Sequence, residues 1–325
     1  MGDTCKYLFR DKTSCMEPVH AGSELCFWHN PGADKTGADI KRILEEKHSR
    51  GEKLEGYMLK DAQLENAKLS KANLYNANFN KANLKNAHLY GADLSSASLF
   101  KAVLDGANLK EAKFKDADIL GASLENAKLE FIDFGHGGEY TVKNETDGNA
   151  LAKKGDIEQA KLKYFEAEEI YRTIKLNLKT RGLAFEAGEY FFREMVMIRK
   201  QIPLYSFDRF WSKLMSLSTG YGEKPHRIIG FSVASMAIFA VIAALIGMHH
   251  TSGHLYRLSS DASPSENLLV LYDALYYSVV TFTTLGYGDF TPTGIGKMFA
   301  VLEAFSGAFC ISLFSISTYK RYMDR

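Results

Sequence analysis

Between residues 54 and 134 a large apolar residue recurs at every fifth position. The series runs from Leu54, Leu59 and Leu64 through Phe79 and Ile119 to Phe134, seventeen times without a break. Two residues before these sits a second series, alanine at all fourteen positions from Ala62 to Ala127. Five is the period of neither a helix nor a flat strand, so the apolar face must close on itself in another way. A fixed short period predicts a solenoid, in which each unit buries its face only by stacking on its neighbours.

The pattern changes after Phe134. GHGGEYTVKNETDGN predicts a loop over 135–149. Ala160, Tyr164, Ala167, Ile170, Tyr171 and Ile174 then recur at three- and four-residue steps, which predicts amphipathic helices over 150–202. Gly182 and Gly188 are expected to interrupt them, and the region is expected to pack against neighbouring subunits. Over 203–226, Phe207, Phe210, Trp211, Leu214 and Leu217 oppose Arg209 and Lys213, as in a helix lying at a membrane interface. TGYGE follows as a turn, closed by Lys224-Pro225.

Apolar residues then dominate. Ile228–Met248 carries no charge and is long enough for one hydrocarbon thickness, about 30 Å. Met298–Tyr319 is a second span with one charge, Glu303, a costly residue in that setting. Glu303 either bonds to the back of the preceding short helix or attracts ions or responds to pH. Between the spans, LLVLYDALYYSVVTF is too short to cross a membrane but can enter it and turn back, and TTLGYGD follows it. Non-helical backbone at that depth must be buried in protein or line a water-filled path.

Charge settles less about fold than about placement. The net charge of +1 gives no global case for nucleic acid, and residues 54–134 nearly cancel with eleven acids against ten lysines. Lys224 and Arg227 precede the first span and Lys320, Arg321 and Arg325 follow the second, whereas the segment between carries Arg257 and Lys297 as its cations. Both ends are therefore expected in the cytosol, with the chain a multi-pass protein of a bacterial inner membrane. That topology keeps the Asn144-Glu145-Thr146 pattern from glycosylation. MGDTCKYLFR has no signal-peptide pattern.

Three of the four cysteines lie in the first 26 residues. Cys5, Cys15, Cys26 and His29 form C-x9-C-x10-C-x2-H, a set suited to structural zinc in a segment too short to fold on apolar burial alone. A cytosolic location argues against disulfides. His20 is an alternative ligand or an exposed side chain. Cys310 reads as a small packed residue.

KANLYNANFNKANL resembles the pentapeptide-repeat family, whose unit is A(D/N)LXX. The resemblance implies a right-handed quadrilateral β-helix, four pentads to a coil, about four coils and about 20 Å tall at ~4.8 Å between strands. Some members imitate DNA, which needs an acidic surface that this segment lacks. Residues 227–320, with span, short helix, T-x-G-Y-G-D and span, resemble the pore module of two-helix potassium channels. What that resemblance implies is an all-α homotetrameric pore with K⁺ as the permeant ion. Thr284, Leu285, Gly286, Tyr287 and Gly288 would line its filter, with Asp289 at the mouth. Tyr276 and Tyr277 would brace Tyr287. Val280 departs from members that carry a glutamate there. Gly307 lies near the family's inner-helix hinge, with close helix packing as its other reading, and Phe314 and Tyr319 are the bulkiest gate candidates.

The expected organisation is a zinc knuckle over 1–35, a helical linker over 36–53, the β-helix over 54–134, and a loop over 135–149. The helical connector over 150–202, the interfacial helix and turn over 203–226 and the pore over 227–325 complete it. The expected function is passive, selective K⁺ conduction, regulated by the cytosolic assembly, with a cytosolic ligand or protein partner of that assembly that the residues do not identify. No catalytic constellation is present. The alternative is a membrane-anchored tetrameric scaffold that binds a cytosolic partner through the β-helix.

Overall fold

The computed structural model describes residues 4–135 and 140–322, with side chains to Tyr319. The chain forms two compact units, Met1–Arg209 and Phe210–Arg325. Residues 136–139 of the expected loop, and the side chains of Lys320, Arg321 and Arg325, lie outside the described residues.

In the first unit the five-residue period becomes a stacked coil. Parallel bridges join Met58 to Asn78, Gln63 to Asn83, and onward to Lys113 with Asp133, always twenty residues ahead. Four pentads therefore complete one coil. The Leu59 N–H donates to Asn78 O at 2.7 Å and the Asn78 N–H to Tyr57 O at 2.8 Å, so the backbone is paired between coils. Leu59 to Leu109 and their alanines are fully inside, at 0–1% exposure. The corners have a common device. From Leu54 to Leu129 the residue two after each apolar centre has positive φ, as in Asp61 (57°), Asn66 (59°) and Lys71 (60°). Asn and Asp tolerate this left-handed state because their side chains bond locally. At Gly106 (φ 69°) a Cβ would also lie 2.2 Å from Asn86 Oδ1, so the Asn86 side chain would have to turn aside.

A solenoid exposes unpaired backbone at both ends, and both are covered here. At the amino end the cysteine-rich segment and α1 (Asp39–Ser49) close it. The Met58 N–H donates to Trp28 O at 2.8 Å, and Trp28 stacks on Tyr57 at 5.0 Å. Lys47 pairs with Glu17 and Glu52 beside them. At the other end stand α2 (Lys143–Lys153), α3 (Ile157–Thr180) and α4 (Ala184–Gln201). Asn177 donates to Leu124 O, and Arg181 to Ala127 O at 3.2 Å and Glu130 at 2.8 Å. Phe134 meets Tyr190 edge-on at 6.5 Å. The helices thus cap the last coil within their own chain. Two expectations change. Lys143–Lys153 is helix, with Asn144 and Glu145 buried, because Tyr171, Arg193 and Lys200 bond to Glu145. Gly182 ends α3 at φ 76°, but Gly188 is buried inside α4.

The second unit holds most of α5 (Phe207–Ser218), then α6 (Pro225–Ile246), α7 (Pro264–Phe282) and α8 (Gly296–Tyr322). Pro225 opens α6 at a position where its missing N–H costs nothing. Helices α6 and α8 are each long and apolar enough to cross a membrane. Three short strands, β1 (Met248–His250), β2 (Leu255–Tyr256) and β3 (Phe290–Pro292), form an antiparallel sheet in the order β2-β1-β3. The sheet ties the end of α6 to the segment after TTLGYGD.

Candidate functional site

Helix α7 begins four residues before the expected LLVLYDALYYSVVTF. Ser263 and Glu266 form a reciprocal capping box at 3.3 and 2.7 Å, with Pro264 in the first turn. At the other end the Leu285 N–H folds back to Val280 O at 3.0 Å, which stops the helix. The next residues alternate in hand. Thr284 has φ 60°, Gly286 57° and Gly288 78°, while Leu285 and Tyr287 between them are not positive. Such alternation turns successive peptide groups toward one side, and it is how a backbone presents a row of like dipoles to an ion. A Cβ at Gly286 would touch nothing within 4 Å, so the glycine answers to backbone angle and not to space. Thr284 is β-branched, and its left-handed state costs about 1–3 kcal/mol.

The flanking residues fix this run. Tyr276 bonds through its hydroxyl to the Asp289 carboxylate. The Asp289 carbonyl accepts from the Thr251 N–H at 2.9 Å, and its carboxylate from the Phe290 N–H at 3.1 Å. Tyr277 is buried and bonds to Thr281. The two tyrosines expected together against Tyr287 thus have separate partners within one chain. Leu285 and Tyr287 are 60% and 68% exposed, so their side chains are largely without intrachain cover.

Behind α7, Glu303 is buried and bonds to Ser278, which also bonds to the Met236 carbonyl at 2.8 Å. Gly307 meets the end of α7 so closely that a Cβ would lie 1.8 Å from the Phe282 carbonyl oxygen. Phe314 and Tyr319 lie further along α8, at 37% and 65% exposure. Sequence reasoning missed Ser278, the sheet and the Tyr276–Asp289 bond. The capping-box pattern Ser263-x-x-Glu266 was a signal for the true start of α7.

In the first unit the ligating atoms of Cys5, Cys15, Cys26 and His29 all lie within 4.8 Å of one another, and all four residues are buried. Cys15 and Cys26 sulfurs are 4.0 Å apart, and His29 Nδ1 is 3.1 Å from Cys26 Sγ and 3.5 Å from Cys5 Sγ. Tetrahedral zinc with bonds of about 2.3 Å to sulfur and 2.0–2.1 Å to nitrogen needs such separations, and a disulfide needs about 2.05 Å. His29 Nε2 lies 2.9 Å from Glu55 O, an acceptor, so Nε2 carries the hydrogen and Nδ1 is free to ligate. Burial pushes the Cys15 thiol up to about 12 and also raises Cys26. His20 is outside the cluster.

The geometry has counterparts among known proteins. The ion channel family model matches residues 236–323, and the model of pentapeptide repeats, itself eight copies long, matches twice, at residues 59–95 and 92–130. The chain therefore carries a segment that matches the ion channel family and another that matches the pentapeptide repeats, and the first overlaps both helices that are long and apolar enough to cross a membrane. Among curated relatives it is similar to two pore potassium channel b of Oryza sativa, 31% identical over 30% of this chain and 25% of that one. It is also similar to protein LctB of Geobacillus stearothermophilus, 41% identical over 17% of this chain and 40% of that protein. The chain thus spans less than half the length of either. A pentapeptide repeat protein from the cyanobacterium Cyanothece 51142 is 36% identical over 25% of this chain and 55% of its own, at a TM-score of 0.17. The repeat assignment rests on the family match and the twenty-residue register.

Proposed function

We propose that this chain is one subunit of a homotetrameric channel that conducts K⁺ selectively and passively across a bacterial inner membrane, with both termini in the cytosol. The observation that carries it is the alternation of positive φ at Thr284, Gly286 and Gly288, set at the carboxyl end of α7 and between two apolar helices. Carbonyls of Thr284 to Tyr287, with the Thr284 hydroxyl, would replace the hydration shell of K⁺, Gly288 would turn the chain out to Asp289, and Asp289 with Tyr276 would hold the outer mouth. One chain supplies one side of such a ring, and the exposure of Leu285 and Tyr287 leaves room for neighbours. The relative named as a potassium channel favours K⁺ over other cations.

The repeat domain is proposed to be a right-handed quadrilateral β-helix that regulates the pore. Cys5, Cys15, Cys26 and His29 are proposed to hold structural zinc, which would lock the knuckle over the first coil. The test of the channel is flux of K⁺ against Na⁺ in liposomes of purified protein. Gly286→Ala puts a Cβ on a residue at φ 57°, so selectivity should collapse. Unchanged selective flux in that variant would overturn the filter assignment.

A further inference from the structure

Glu303 is 1% exposed, and the contacts of its partner determine where a proton sits. Ser278 Oγ lies 2.8 Å from the Met236 carbonyl oxygen and also meets Glu303 Oε1 at hydrogen-bond distance. Two oxygen–oxygen contacts of this kind need two hydrogens. A serine hydroxyl has one, a carbonyl none, and an ionised carboxylate none. If the hydroxyl donated to an ionised Glu303, two lone-pair oxygens would face each other at Met236 with no hydrogen between them. The hydroxyl therefore serves Met236, and the second hydrogen belongs to the carboxyl group.

From this we infer that Glu303 is held as the neutral carboxylic acid, donating to Ser278, so that a relay of hydrogen bonds from Glu303 through Ser278 to Met236 ties α8 to α7 to α6 behind the TTLGYGD run. The surroundings agree. The narrow cavity beside Glu303 is walled by Phe239 and Ile242 of α6, Phe299 of α8 and Pro292 of β3. From α7 comes Tyr277, the one other titratable group among the described lining residues, and its hydroxyl bonds to Thr281. No Lys, Arg or His is among the described residues that line it. A carboxylate buried without a cation costs several kcal/mol, and the acid form avoids that cost. Glu303 is thus a positioning residue. It holds the carboxyl-terminal part of α7 in place as an uncharged donor.

The consequence for conduction rests on the channel function proposed above, but the protonation state does not, so the two are tested apart. Infrared spectra of the full chain in lipid at neutral pH, with ¹³C-labelled glutamate, should show a carboxylic-acid carbonyl band that Glu303→Gln removes. Ser278→Ala should keep the band but shift it to higher frequency, because the acid loses its acceptor. Loss of carboxylate bands only, in the Glu303→Gln difference spectrum, would overturn the inference. If Glu303→Gln does not assemble, the Ser278→Ala shift decides: an acid band that moves supports the relay, and no band or no movement overturns it. Flux gives the positioning readout. Glu303→Gln, whose amide N–H replaces the acid O–H, should conduct within about twofold of the parent, whereas Glu303→Ala should lose most flux. Equal flux in Gln and Ala variants would overturn the positioning role. A parent protein with no K⁺ flux would count against the channel and leave the band to be read.

Discussion

Substituting Gly307 by alanine tests whether that glycine is a hinge or a contact. The new Cβ would sit 1.8 Å from the Phe282 carbonyl oxygen, 2.7 Å from its carbon and 3.1 Å from its Cα. All three are backbone atoms, so no rotamer change can relieve the overlap. Helix α8 must retreat by about 1.2 Å merely to reach the shortest contact that methyl groups tolerate, and overpacking of this kind costs about 1–3 kcal/mol per chain. In the ring of four proposed above the cost would be counted four times, roughly 4–12 kcal/mol, comparable with the entire stability of a typical domain at about 5–15 kcal/mol. The retreat also withdraws support from the end of α7 and so from the run that begins at Thr283. A hinge predicts a different outcome. Alanine would favour a straight helix by about 1 kcal/mol, slowing opening while the tetramer and its selectivity persist. The assay is tetramer content by size-exclusion chromatography in detergent, with selective K⁺ flux in liposomes. Gly307→Ala should lose both, and Phe282→Ala added to it should rescue neither, because the contact is with a carbonyl and not with the ring. A Gly307→Ala protein that assembles and selects normally would refute the contact, and so would rescue by Phe282→Ala.

Other outcomes follow from the first unit. Leu89→Ala empties a position at 0% exposure and should cost about 2–5 kcal/mol in thermal or denaturant unfolding, whereas Phe131→Ala, at 82% exposure, should stay within about 0.5 kcal/mol. Elemental analysis should find about one zinc per chain, lost in the Cys26→Ser and His29→Ala double variant, and metal-free parent protein would exclude the site. Arg181→Ala removes donors from Ala127 O and Glu130, so amide exchange in the last coil should speed by about tenfold, matching the ~1.5 kcal/mol of a charged hydrogen bond; unchanged exchange would deny the cap.

The period of five was legible because it is a property of every pentad. Each apolar centre buries itself for the same reason, so seventeen repetitions outvote any local irregularity. The corners were half legible. Asn66, Asn76 and Asn86 announce a left-handed residue, but Lys71, Lys81 and Lys101 take the same angle with no intrinsic preference for it, carried by the stacking of the coil. The caps were not legible, because each depends on a few unrelated side chains. Glu145 stood in a stretch rich in glycine and asparagine that looked like a loop. It is helical because Tyr171, Arg193 and Lys200, which come from elsewhere in the chain, converge on it.

The pore module divides along the same line. Spans and the TTLGYGD run are local patterns and were read from the chain directly. The groups that hold them are not local. Ser278 looks like one more small residue in an apolar helix, yet its partners are Met236, 42 residues earlier, and Glu303, 25 residues later. The signal was energetic and not periodic. An acid inside an apolar span is costly enough that it must have a partner, and in a segment this poor in polar side chains few can serve. Glu303 therefore pointed toward the back of the neighbouring short helix, but nothing in the sequence singled out Ser278 as its partner. What no sequence pattern carries is the third member, a backbone carbonyl of α6, since every residue has one. That carbonyl is the atom that decides the protonation of Glu303, because it takes the only hydrogen the serine has.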